Sequence, residues 1–146
     1  MKITGLERTI ADLNKSITFQ SKSLFEEIGE YIKTQIKLRT SDGVDYEGNA
    51  FEPYSLKYKL FRKKKEYPVN KVDLFYSGSM MGSMTYTATP DSVRVFFAPG
   101  TDEDEDKVQN ASKAFWLNEN REFFMYSQKD LDKVIDMYVR RANDAA

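Results

Sequence analysis

Two charged runs are the stretches of this sequence whose residue types and spacing could do chemistry. One is Arg62-Lys63-Lys64-Lys65, at the end of the segment Ser55–Lys65, SLKYKLFRKKK. The other is Asp102-Glu103-Asp104-Glu105-Asp106, five consecutive carboxylates. Consecutive cations can contact nucleic-acid phosphates or an acidic protein surface. They can equally form a solvated face whose lysines favour the C-terminal end of a helix. No aromatic platform is interleaved with them, so a base-stacking groove is not indicated. Consecutive carboxylates repel one another, and a linear run does not converge on a point as a metal site requires. An exposed or partner-facing loop is the expectation for Asp102–Asp106. The opposite signs of the two runs allow symmetry-related copies to use one against the other.

The rest of the inventory excludes more than it offers. The chain has no histidine and no cysteine, which removes the commonest general base, the commonest metal ligand and thiolate chemistry together. No phosphate-cradling glycine loop and no carboxylate pair at a telling spacing is present, so the chain reads as no enzyme and needs no cofactor. Asp42, Asp45 and Glu47 lie in a Gly- and Pro-punctuated loop, Thr40–Ser55, but do not match the spacing of a calcium-binding EF-hand. A solvated turn pinned by Phe51 and Tyr54 is expected there. A net charge of −1 gives no overall basic character. No apolar run is long enough to span a bilayer and no signal-peptide core is evident, so no membrane association is expected.

The elements that must position these runs follow from periodicity. At 146 residues, with 40% hydrophobic side chains, one domain over 1–146 with a real core is the expectation. Leu6, Ile10, Leu13, Ile17, Leu24, Ile28, Ile32 and Ile36 recur as one helical stripe, and no proline interrupts Thr4–Leu38. Unbroken, such a helix would be ~50 Å long and would need burial outside its own domain. The alternative is a break near Thr18–Ser23. In Ser55–Lys65, Leu56, Leu60 and Phe61 are expected to face inward, with Lys57, Lys59 and Arg62–Lys65 outward. Leu74–Ser83 reads as a tight connector. Met84–Thr89 and Ser92–Ala98 alternate with period two around Thr89-Pro90-Asp91-Ser92, predicting a hairpin whose Val93, Val95 and Phe97 face is covered by helix. Ala111, Phe115 and Trp116 read as core or interface. Ser127 and Asp130 predict a capping box opening a last helix with the stripe Leu131, Val134, Ile135, Tyr138 and Val139. The fold class is therefore α+β, a long N-terminal helix and a C-terminal helix packed on a small antiparallel β-sheet with a central hairpin.

Three segments, in order, carry a family likeness. They are Gly48-Asn49-Ala50-Phe51-Glu52-Pro53-Tyr54-Ser55, then Leu74-Phe75-Tyr76-Ser77-Gly78-Ser79-Met80-Met81-Gly82-Ser83, then Arg121-Glu122-Phe123-Phe124-Met125-Tyr126-Ser127. The chain resembles the tailed-phage virion-morphogenesis family of tail-completion and neck proteins. It departs from that family at Ala111–Asn118, where members carry histidine and a closing glycine, and in the acidic insertion before it. The resemblance implies a non-enzymatic virion subunit of the head–tail junction, found in the host cytoplasm during assembly. It implies a homo-oligomeric ring, with a hexamer matching the tail and a dodecamer the head vertex as runner-up. Neighbouring neck, connector or tail-tube proteins would be its partners, and genomic DNA would pass through the lumen. On that reading Arg62–Lys65 and Asp102–Asp106 are ring-interface residues. A nucleic-acid-binding module built on Arg62–Lys65 is the alternative.

Overall fold

The structure, a computed structural model, describes residues 19–75, 78–101 and 108–145. The expectations for Leu6–Ile17 and for Asp102–Asp106 lie outside the described residues. Among the described residues, five helices and one hairpin follow in order: α1 (Lys22–Asp42), α2 (Leu56–Lys64), α3 (Ser79–Gly82), β1 (Met84–Ala88), β2 (Val93–Phe97), α4 (Asn110–Asn120) and α5 (Gln128–Asp144). The strands form a two-stranded antiparallel sheet, so the α+β class and its long first and last helices hold. None of the described helices is long and apolar enough to cross a membrane.

The chain divides into two compact units. One comprises Met1–Gln35, Thr85–Phe96 and Tyr126–Ala146; the other comprises Ile36–Met84 and Phe97–Met125.

In the first unit, α1 starts at Lys22 because Ser21 caps it. The Ser21 hydroxyl accepts from the Leu24 amide at 3.2 Å, and its carbonyl accepts from Phe25 at 3.2 Å. The Ser21 amide meanwhile donates to the Pro90 carbonyl in the hairpin turn at 2.8 Å. Phe19–Ser21 are therefore not helical. This corrects the reading of one unbroken helix over Thr4–Leu38: the 21 residues of α1 extend only ~31 Å. The predicted stripe is real within it, Leu24, Ile28, Ile32 and Ile36 all being buried, with Thr40 extending the row. Thr40 satisfies its hydroxyl by donating to the Ile36 carbonyl at 2.7 Å.

Gly29 lets α1 lie directly on the hairpin. A Cβ there would stand 2.6 Å from Tyr86 Cδ2 and 2.8 Å from Val93 Cγ2. The hairpin closes as expected, Thr89 N–H donating to Ser92 O at 2.8 Å, and Val93, Val95 and Phe97 are buried. The capping box of α5 is complete: Ser127 Oγ accepts from Asp130 N–H at 3.0 Å and Asp130 Oδ2 accepts from Ser127 N–H at 2.8 Å. The buried row of α5 is Asp130, Val134 and Tyr138. Ile135 is only half-buried and Val139 is exposed, so the apolar stripe is rotated by about one residue from the expected one. Farther along α5, the Arg141 guanidinium reaches Glu27 Oε1 at 2.6 Å and Ser23 Oγ at 3.2 Å on α1.

In the second unit, Gly43 (φ 76°) turns the chain out of α1 in the left-handed conformation. The following loop is organised by Asp45, whose Oδ1 accepts from the amides of Glu47 and Asn49, each at 2.9 Å. Phe51 and Tyr54 are buried, as expected of the residues that pin this loop. The connector forms one short helical turn, α3, entered through Gly78 (φ 85°). Phe97, Phe123 and Phe124 form an aromatic cluster with centroids 4.9–6.3 Å apart.

Candidate assembly surface

Ser55 opens α2, its hydroxyl accepting from the Tyr58 amide at 3.2 Å. Only one residue of the helix is buried, and it is Arg62, 1% exposed. This overturns the expected orientation, in which Arg62 faced outward beside Lys63–Lys65 and the leucines faced inward. Leu56 is 75% exposed and Leu60 61%. Phe61 and Tyr58 are also exposed.

The reason is the environment waiting for the guanidinium. Arg62 Nε donates to Pro68 O at 2.9 Å and Nη1 donates to Phe75 O at 2.8 Å. Nη2 faces Asp73 Oδ1 at 3.8 Å as an ion pair. The group lies over the rings of Tyr54, Tyr67 and Tyr58, 4.8, 5.6 and 5.8 Å from their centroids. Planar, delocalised and weakly hydrated, a guanidinium suits such a bed, which a leucine could not satisfy. Burial holds the Tyr54 phenol above its ordinary pKa, while the neighbouring Arg62 charge pulls it the other way. A second cation joins the same ring: Arg121 sits 5.7 Å from the Tyr54 centroid, and its Nε and Nη2 both donate to Glu52 O, at 3.2 and 3.1 Å.

Residues from the three segments that carried the family likeness thus meet around Tyr54. Arg121 opens the third segment, Phe75 belongs to the second, and Glu52 and Tyr54 belong to the first. Arg62 moves from the surface into this structural knot. Lys63, Lys64 and Lys65 remain exposed.

The acidic run itself lies outside the described residues, but its flanks are held. Thr101 and Gln109 pair as an isolated antiparallel bridge, and Gln109 Oε1 accepts from the Gly100 amide at 3.0 Å. The Asn110 amide donates to Gly100 O at 2.8 Å, and the buried Asn110 side chain reaches Ser79 Oγ on α3 at 3.1 Å. Thr101 and Gln109 are thus held as a pair just before α4. On α4 the buried positions are Asn110 and Ala114. Phe115 is 64% exposed and Trp116 55%, and Ala111 is exposed as well, so of the two readings of these residues the core one fails.

One signal could have placed Arg62 correctly. Tyr54, Tyr58 and Arg62 recur every four residues, so two aromatic rings and the arginine share one side of the segment. Among the described residues no cluster of acidic side chains is arranged to hold a metal. No family model, no curated protein and no solved structure matches this chain.

Proposed function

We propose that this chain is a non-enzymatic ring subunit of the head–tail junction of a tailed phage, joining the DNA-filled head to the tail. The observation that carries the reading is the ordered set of three segments, Gly48–Ser55, Leu74–Ser83 and Arg121–Ser127, tied together at Tyr54: Arg121 lies over its ring, and so does Arg62, which donates to the Phe75 carbonyl. The fold fits this role: a helix-covered hairpin frame, with exposed apolar and basic side chains on α2 and exposed aromatics on α4. Closed rings are built by heterologous contacts, in which one patch of a subunit meets a different patch of its neighbour. Lys63–Lys65 and the run Asp102–Asp106 supply opposite charges for such a contact and would set its register more than its affinity. A hexameric ring matches the tail, and a dodecamer would match the head vertex.

Assembly of a virion lacking the subunit tests this. Separate filled heads and tails that fail to join are the expected outcome; intact infectious particles would end the proposal. The alternative of a nucleic-acid-binding module is weakened because Arg62 does not reach solvent. Binding of a DNA fragment with a steep salt dependence, lost on neutralising Lys63–Lys65, would favour it instead.

A further inference from the structure

The exposed rows of α2 and α4, both in the second unit, have the same design with opposite charge. On α2, Leu56, Leu60 and Lys64 follow one another at four-residue steps, an apolar row that ends in a cation. On α4, Phe115 and Glu119 form a row at the same step, apolar and then anionic, and Trp116 stands beside Phe115. All of these side chains are exposed. Two such apolar patches on one small chain mark interaction surfaces. Aromatic residues are the side chains most often found to carry binding energy at the centre of an interface, with charges at its rim.

We infer that the α2 row of one copy docks on the α4 row of a second copy, with Leu56 and Leu60 against Phe115 and Trp116, and with Lys64 paired to Glu119. This rests on the ring reading and names the two surfaces that would close the ring. Two copies of this row packed in parallel would set Lys64 against its own like, and packed antiparallel they would leave Lys64 with no anion in the row to meet. Against the α4 row, each end finds its complement. Made once per pair of copies the contact is heterologous, and repeating it propagates around a ring.

The absence of cysteine in the chain makes the contact directly testable. Leu60→Cys and Phe115→Cys are made separately and together, and treated with a short bis-maleimide. Light scattering gives the mass of the unsubstituted chain, and circular dichroism checks the fold of every variant. The expected result is a multi-subunit mass, no cross-linked product from either single variant alone, a two-chain product when the singles are co-expressed, and a ladder from the double variant. A folded cysteine variant that loses assembly also supports the contact. Lys64→Glu and Glu119→Lys should each lower the assembled fraction at least several-fold, and the pair together should restore it. Cross-linking of one single variant with itself, or a double variant whose product stops at two chains, would mean a twofold contact and overturn the inference. A multi-subunit mass without the mixed product overturns it too, while leaving the ring reading standing. A single-protomer mass at the highest concentration reached would end both.

Discussion

α1 and α2 are both short of glycine and proline inside, both carry leucines or isoleucines at four-residue steps, and they present opposite kinds of residue to the interior. α1 buries Leu24, Ile28, Ile32, Ile36 and Thr40, a continuous side of the helix. α2 buries a single residue, and that residue is a cation. The difference is one of length and of what lies opposite. Five successive positions on one side of α1 bury enough apolar surface to fix its rotation beyond any competing interaction. Two leucines on a nine-residue helix do not. There the rotation is decided by two carbonyls, a carboxylate and the rings of Tyr54 and Tyr67, which only an arginine can engage together. Amphipathic pattern orients a helix when its apolar side is long; over two turns, a single buried polar side chain held by two carbonyls and aromatic rings can orient it instead.

The largest effect should come from removing that side chain. Arg62→Ala leaves the Pro68 and Phe75 carbonyls without their donor and Asp73 without its ion pair, and empties the space over three rings. Leaving part-buried carbonyls without their donor and a void over the rings costs about 2–3 kcal/mol, which a urea titration would read as a clear fall in midpoint. Arg62→Met should lose clearly less, since it refills the space and Asp73 remains able to hydrate. If both variants were as stable as the parent, α2 would owe its orientation to something other than Arg62.

Gly29 tests α1 in the opposite sense. By propensity alone Gly29→Ala should stabilise a helix by about 1 kcal/mol. Here the new methyl meets the Tyr86 ring and a Val93 methyl at 2.6–2.8 Å, and overpacking of that kind costs about 1–3 kcal/mol. A net loss of about 1 kcal/mol is expected, readable in the same titration. A gain would show that the Tyr86 ring, over which Lys33 lies at 5.4 Å, swings away freely.

How much of this was legible follows from the same contrast. The α1 row, the hairpin alternation and the Ser127–Asp130 box were readable because each is a local rule repeated or completed within a few residues. The start of α1 was legible only as the alternative break near Thr18–Ser23, and what decides for it, the Ser21 amide given to Pro90, lies about seventy residues away. The role of Gly29 was not legible, since a sequence shows it only as a weak helix former. The rotation of α5 was read only to about one residue, because its buried row takes in the capping Asp130 beside Val134 and Tyr138, where apolar spacing alone favoured Ile135 and Val139. At α2 the count of charges pointed outward and was right for Lys63–Lys65. It was wrong for Arg62, whose partners Pro68, Asp73 and Phe75 come after the helix has ended.

The bed beneath Arg62 also sets an alkaline limit. The folded chain holds the Tyr54 proton more tightly than the unfolded chain does, chiefly through burial. The stability from this group is therefore fully present below the ordinary tyrosine range near pH 10 and is lost as pH rises through the folded value. Tyr54→Phe keeps the ring under both guanidinium groups and removes the titration. Its stability relative to the parent should be flat below about pH 9 and climb above pH 10. A difference that stays constant over that range would mean the phenol ionises alike in both states.

The smallest effect on stability, and the one that bears most on function, is at Leu60. Its side chain is 61% exposed, so Leu60→Gln should change the unfolding free energy by no more than about 0.5 kcal/mol. The same change removes an apolar side chain from the middle of the row Leu56–Leu60–Lys64 and should shift the chain from an assembled to a dispersed state at equal concentration. The paired expectation separates the two sides of α2. Arg62→Ala should weaken the fold and change assembly only as far as unfolding requires; Leu60→Gln should change assembly and leave the fold intact. Sedimentation velocity together with a thermal melt measures both. An unchanged sedimentation profile for Leu60→Gln would mean that the exposed leucines of α2 are not what neighbouring copies hold.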